Sequence, residues 1–376
     1  MPYTVALDKP PAGYSMTVAR GGEKVGVSYR EFVSFEDGEK LISRLEGFPT
    51  ILLKQIPNPD LKPSTVDHLF AVIKSDGNCQ VFVNECEIVA KTRVRRDIKK
   101  GEAIYESDIV DYQEVVFKGV EVAPDAGIAV VFSVGWRKGF YYDFGPLQAE
   151  TILRDYSIWE TLGVLHNYLC FQEYFKISDD EYRRLFDKLW FPFIGLKKET
   201  VTKLLSHIRG GWDPDELMEV VQEEVRQGID GMLARWKKHP SLSEHSELLE
   251  RACERFKSGD YLSCSAVLYP RIEGILRSIS RCTGGGYTQR ALAKAPSDQA
   301  STVSISRVLP DKFVEYLREV YFRNFDPEYP DHISRNTVGH GVAPQSLYDS
   351  KAASIGLLVV EQIYLQLPAS PAENEE

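Results

Sequence analysis

The chain has 376 residues, 43% of them hydrophobic, 27% charged and 11% aromatic, with a formal net charge of −10. That length points to two or three domains, and the composition excludes a fibrous or wholly disordered chain. The acidic balance excludes a protein coated in basic surface for gripping nucleic acid, while a local basic cleft on an acidic body stays open.

The first 147 residues read as a β-rich domain. "YTVAL", "SMTVAR" and "KVGVSY" are short, β-branched or aromatic, and separated by Gly and Pro. "EDGEKLISRLEG" (37–47) predicts a helix with Leu41, Ile42 and Leu45 on one side. "TILLKQI", "CQVFVN", "EIVAKTRV", "YQEVVFKG" and "IAVVFSVG" follow as strands, and "WRKGFYYDF" as a hairpin return through Gly139.

A helical middle segment is expected over 148–240. Ile152, Ile158, Leu162, Leu165 and Leu169 recur near the helical period. Ser178 with Glu181 three residues on forms a capping-box pattern, and Asp213–Pro214 opens a long helix as cap and first turn.

The last block, 244–367, predicts a four-helix bundle, followed by a disordered acidic tail at 368–376. "SELLERACERFKSG" stops at Gly259, and "DYLSCSAVLYPRIEGILRSIS" starts with Asp260 as cap and carries Pro270 as a kink. "TGGGYTQRALAKAPSDQASTVS" (283–304) reads as a surface insertion. "PDKFVEYLREVYFRNF" and "SLYDSKAASIGLLVVEQIYLQL" are the third and fourth helices. The fold class is therefore expected to be α+β and multidomain.

Six scattered cysteines without a C-x-x-C pair support neither a zinc site nor a disulfide framework, and fit reduced thiols in a cytoplasm. "MPYTVALDKPPAGYS" lacks the pattern of a signal peptide. The longest apolar stretches fall short of the roughly 18–20 residues a membrane helix needs, so no membrane partner is expected. No H-x-x-x-H or H-E-x-x-H spacing supports a metal, and "TGGGY" lacks the Lys-Ser/Thr of a phosphate loop, so no cofactor is expected.

"SRNTVGHGVA" (334–343), between the third and fourth helices, concentrates chemistry. An imidazole ordinarily titrates near neutral pH, so His340 can take or give a proton. The planar guanidinium of Arg335 can hold phosphate oxygens bidentately and stabilise added negative charge. Asn336 can orient either partner, and the glycines beside His340 permit close backbone approach. Five residues at about 100° each put Arg335 and His340 roughly 140° apart on a regular helix. The segment is then irregular, or the pair works across an interface. The same residues also fit a polar interhelix loop whose side chains cap helix carbonyls.

Arg335, Asn336 and His340, ahead of Tyr348, Lys351 and an apolar last helix, resemble the signature of the HEPN superfamily, helical bundles found in RNA-cleaving toxins and defence proteins. "FKSGDYLSCSAVLYPRIEGILR" is similar to that bundle's early helices, and the resemblance covers about 244–367. It implies a metal-independent endoribonuclease with Arg335, His340 and Asn336 in the active site, completed by a second copy in a homodimer. RNA is the implied substrate, with a regulatory or antitoxin partner possible for such a system. Lys351, Tyr348 and Arg271 would assist substrate binding, and Glu273 would be a buried acid facing the motif. The alternative is a non-catalytic protein whose bundle dimerises or binds RNA or nucleotide.

The most basic stretch, "RVRRDIKKGEAIYESDIV" (93–110), reads either as a ligand or RNA contact through Arg93, Arg95 and Arg96 or as an exposed strand and turn. Its later part looks like a short motif of small β-clip domains. "VGWRKGFYYDFGP" reads either as a stacking surface for nucleic acid or as an aromatic hairpin packed on a sheet. Asp331 and His332 are adjacent, so their side chains are expected to point apart in a loop.

Overall fold

The computed structural model describes residues 2–148, 153–282, 284–299 and 305–368. It is a mixed α/β structure with an antiparallel sheet and a helical C-terminal part. Contacts divide the chain into two compact units, residues 1–92 with 112–172 and residues 93–111 with 173–376. These divisions fall elsewhere than the boundaries at 147 and 240–244 that composition suggests.

In the first unit, β1 (Tyr3–Ala6), the short pair β2 (Tyr14–Ser15) and β3 (Val27–Ser28), and β4 (Arg30–Ser34) precede α1 (Glu39–Glu46) and α2 (Phe48–Lys54). Strands β5 (His68–Ile73), β6 (Asn78–Val83), β7 (Ile88–Val94), β8 (Ile109–Phe117), β9 (Gly127–Val134) and β10 (Arg137–Asp143) follow, then α3 (Ile158–Cys170). Six strands form one antiparallel sheet in the order β1-β6-β5-β9-β10-β4, while β7 and β8 pair separately.

Both faces of this sheet are covered, which explains its apolar runs. Leu69, Ala71, Val131 and Phe140 pack with Leu41, Leu52 and Leu53 of the helices on one face. Phe70, Val130 and Tyr141 pack on the other with Leu162, Leu165 and Leu169 of α3 and with Phe117 of β8. The apolar stripe of α3 therefore places that helix with the β-rich part rather than with a helical middle segment. Ile152 lies outside the described residues.

The hairpin between β9 and β10 turns at Gly135 (φ +57°), not at Gly139. Gly139 sits inside β10, opposite Phe132 and Ser34, where a Cβ would come within 2.7 Å of the Phe32 ring. Glycine there makes room for an aromatic ring rather than a turn. The cations of this hairpin already have acceptors. Arg137 donates to the carbonyls of Leu169 and Cys170 at 2.8 and 3.2 Å. Lys138 donates to those of Pro63 and Val66 at 2.8 and 2.6 Å.

In the second unit, the chain runs through α4 (Gln172–Phe175), α5 (Asp179–Asp187), α6 (Lys198–Gly210), α7 (Met218–Lys238), α8 (Pro240–Ser243) and α9 (Ser246–Lys257). It continues with α10 (Tyr261–Cys282), α11 (Gln289–Gln299), α12 (Pro310–Tyr316), a π-helical turn (Leu317–Tyr321), α13 (Arg335–Gly339) and α14 (Ser350–Gln366). The Ser178 capping box at α5 forms as its sequence predicts. Asp213 caps a 3-10 turn that leads into α7, and Pro270 lies inside α10 without ending it. The expected insertion contains α11, whose Leu292, Ala293 and Ala295 are buried; residues 283 and 300–304 lie outside the described ones.

Helix α14 is buried on every side, as expected of a helix apolar all round. Leu357, Leu358, Val360 and Ile363 are fully enclosed, each burial worth about 1.5–3 kcal/mol. Two of its buried polar side chains tie it to neighbouring elements. Glu361 accepts from Trp236 Nε1 at 2.8 Å and pairs with Arg235, and Gln362 bridges the Ile194 N–H and the Val308 carbonyl. The helices contacting α14 include α10, α11 and α7, so the helical core draws on a segment that sequence periodicity separates from the last block. Among the described residues no helix is long and apolar enough to cross a membrane.

The cysteines are free thiols, four of them buried. Burial pushes Cys79, Cys253 and Cys264 up to about 12, which leaves them unreactive thiols.

Candidate functional site

The motif forms the short helix α13 and its two caps. Ser334 is the N-cap. Its hydroxyl accepts from the Thr337 N–H at 3.2 Å, and the Thr337 hydroxyl accepts from the Ser334 N–H at 2.9 Å. At the other end His340 is the C-cap and Gly341 takes the left-handed conformation, φ +69°. The N–H of Gly341 bonds the Val338 carbonyl and that of Val342 the Thr337 carbonyl, which is a Schellman ending. Gly341 thus serves to stop the helix. Helix and caps together fix the backbone on which Arg335 and His340 stand.

Arg335 occupies the first helical position, and its guanidinium pairs through Nε with the buried carboxylate of Glu273 on α10. One N–H of its Nη1 goes to Asn336 Oδ1 at 3.2 Å. A guanidinium has five N–H bonds, so three are left uncommitted among the described residues. The side chain folds along α13, with Nη1 3.5 Å from where a Cβ on Gly339 would stand. That reach lays the guanidinium along the face that Arg335 shares with Gly339 one turn on.

Glu273 also binds Arg277, which lies one turn on, with Nε donating to Oε1 at 2.8 Å. One carboxylate thus holds two guanidiniums and the cluster carries a net positive charge. Arg277 is a member of the cluster outside the motif, and its i+4 spacing from Glu273 is the sequence signal for such a pair.

His340 is exposed and its ring lies 5.6 Å from that of Phe325. Among the described residues no hydrogen bond engages its ring nitrogens. An imidazole placed this way is available to a ligand proton.

Asn336 is buried, and its amide is fully used. Nδ2 donates to the carbonyls of Phe322 and Arg323 at 2.9 and 3.3 Å, satisfying the end of the π-helical turn. Oδ1 accepts from Gln289 Nε2 at 2.8 Å and from Arg335. Gln289 belongs to α11, inside the stretch expected to be an insertion. The residue expected to orient a phosphate is instead the buried tie between α11, α13 and the π-helical turn, since its short amide meets every acceptor and donor around it.

The three weaker candidates are not gathered at the motif. Arg271 is on α10 two residues from Glu273 and faces another way, donating toward His245 Nδ1 at 3.2 Å. Lys351 binds Asp215 at 2.6 and 2.7 Å and lies over the Trp190 ring. Tyr348 is half-buried at the end of a 3-10 turn, and burial raises its hydroxyl above the usual range. Asp331 and His332, expected to point apart, meet instead: His332 Nδ1 lies 2.6 Å from Asp331 Oδ1, and that bond holds the Asp331 carboxyl below its usual range. The irregular backbone before α13 turns neighbouring side chains toward each other where a strand would alternate them.

Comparison of the chain with protein-family models, with curated proteins and with solved structures returned no match.

Proposed function

We propose that the chain is a HEPN-type endoribonuclease that cuts RNA without a metal ion and works as a homodimer. The observation that supports this most is that α13 and its cap carry both an exposed imidazole without a hydrogen bond among the described residues and a guanidinium anchored by Glu273. His340 takes the proton of a ribose 2′-hydroxyl, whose oxygen then attacks the adjacent phosphorus. The bond from phosphorus to the 5′-oxygen breaks, and that oxygen takes a proton, leaving a 2′,3′-cyclic phosphate and a 5′-hydroxyl. Arg335 directs its uncommitted N–H bonds at the non-bridging oxygens, where negative charge grows. A second copy of the chain supplies the second imidazole, so one can accept a proton while the other donates. Two cationic clusters meeting in one groove offset the acidic body. A toxin or antiphage-defence role, with a regulatory or antitoxin partner, follows from the family resemblance.

The test is cleavage of total RNA by the purified chain in EDTA. His340→Ala should lower the rate by about 10²–10⁴-fold and Arg335→Ala by about 10²–10³-fold. Wild-type inactivity, or unchanged activity in both variants, refutes the assignment. A second reading, a non-catalytic dimerising or RNA- or nucleotide-binding protein, is favoured by the structural duties of Asn336 and Arg335. Under that reading the wild type binds RNA and leaves it intact.

A further inference from the structure

The basic stretch at 93–110 is not absorbed by the motif, and its three arginines have different fates. Arg96 is neutralised by Asp108 at 2.8 Å and Glu102 at 2.6 Å. Arg93 donates to the Leu367 carbonyl at 2.5 Å. Among the described residues no carboxylate forms an ion pair with Arg95. Its Nη1 alone finds acceptors, the carbonyls of Ile194 and Leu196 at 3.4 and 3.3 Å, both long for hydrogen bonds.

Arg95 lines a cavity of about 440 Å³ in the second unit, the volume of a site for a small ligand. Arg307, Lys198 and Lys203 line it too, against the carboxylates of Glu106 and Glu199. Lys198 pairs with Glu106. The other charged residues in the described lining are Arg95, Arg307, Lys203 and Glu199, so the wall carries more cations than carboxylates on a chain whose net charge is −10, while the buried Asp111 carboxylate accepts from the Arg307 backbone N–H at 2.8 Å. Ser107 and Thr202 add hydroxyls to the wall.

Arg307 is the rigid base of this arrangement. It is buried, donates to the Ile109 carbonyl at 2.7 Å and the Tyr174 hydroxyl at 3.2 Å, and lies over the Tyr174 ring. Burial first, and the neighbouring Arg307 charge second, lower the Arg95 pKa from its usual value. Two guanidiniums that repel each other beside an open volume are stabilised by an anion set between them. The guanidinium fork matches phosphate oxygens, whereas Lys203 at the exposed rim acts as a point charge.

We propose that this cavity binds a phosphate-bearing small molecule, gripped by Arg95 and Arg307 at the base and Lys203 at the rim. Clustered phosphates fit better than the backbone of a nucleic acid, because the buried base admits a terminal charged group and not a chain that must enter and leave. None of the described lining residues is aromatic, so recognition is of the phosphates and not of a stacked base.

The full chain is titrated calorimetrically with inorganic tripolyphosphate, with ATP and with AMP at fixed ionic strength. Lys203→Glu and Arg95→Gln are compared with Lys24→Glu, an exposed lysine of the other unit. Tripolyphosphate and ATP bind the wild type, and Lys203→Glu weakens both by about tenfold or more. Arg95→Gln does the same, and Lys24→Glu has no effect. Equal affinity for the two probes identifies the phosphates as the whole ligand, and tighter ATP binding identifies a nucleotide; either result supports the site. Absence of binding up to about 5 mM, or binding that both cavity variants leave unchanged, overturns it. So does a single-stranded RNA that loses affinity in the variants while the small phosphates fail to bind. Because Lys203→Glu is a surface change and RNA cleavage is not the readout, these outcomes are independent of the nuclease proposal.

Discussion

Replacing Asn336 by alanine separates the two roles its position allows. Its side chain is buried and satisfies the carbonyls of Phe322 and Arg323, the amide of Gln289 and one N–H of Arg335. Each such bond is worth about 1 kcal/mol net, and a buried partner left bare costs about 1–3 kcal/mol more. Arg335 and the exposed edges of the cluster recover part of this through water, so Asn336→Ala should destabilise by about 3 kcal/mol. For a unit of this size that lowers Tm by about 6–12 °C. Differential scanning calorimetry on the full chain measures it, with urea unfolding followed by aromatic circular dichroism as a second readout. A Tm within about 2 °C of wild type, together with lost RNA cleavage, would refute the reasoning, since the amide would then act on substrate and not on the fold.

Glu273→Gln removes the charge that holds both Arg335 and Arg277. RNA cleavage should fall by about 10²-fold, the effect of misplacing a catalytic group by about 1 Å. Arg277→Ala, which leaves the Arg335–Glu273 pair intact, should cost less than about tenfold; equal losses would show that Glu273 does not act through Arg335. Burial against the Tyr112 ring depresses His166 from 6.5 to about 4. A depressed base adds stability that is complete above pH 6.5 and lost as the pH falls toward about 4, amounting to about 3 kcal/mol. Urea midpoints at pH 7.5 and 4.5 should therefore differ less for His166→Leu than for wild type, and an identical difference would locate the acid sensitivity elsewhere.

Features that depend on neighbours in the chain were legible from sequence. The Ser178 capping box, the helix starts at Asp213 and Asp260, the stop at Gly259 and the apolar α14 all follow from residues within a turn or two of each other. The same holds for α13, whose Ser334 cap and Gly341 stop are local hydrogen-bond chemistry. Glu273, which the resemblance implied to be a buried acid facing the motif, is buried and pairs with Arg335. Its second partner, Arg277, is signalled by its i+4 spacing.

What tertiary structure alone decided is which distant residue completes each polar group. Lys351 and Arg271 were drawn to Asp215 and His245, while Asn336 was consumed by two other segments. The stripe of α3 identified a helix that must bury one face, but only the assembled sheet specified the surface that receives it. Arg95 looked like one more exposed cation until residues a hundred and two hundred positions away closed a cavity around it. Periodicity and capping are short-range, set by the backbone's own geometry. Ion pairs and core contacts form between residues brought together by folding, and their partners are absent from the local sequence.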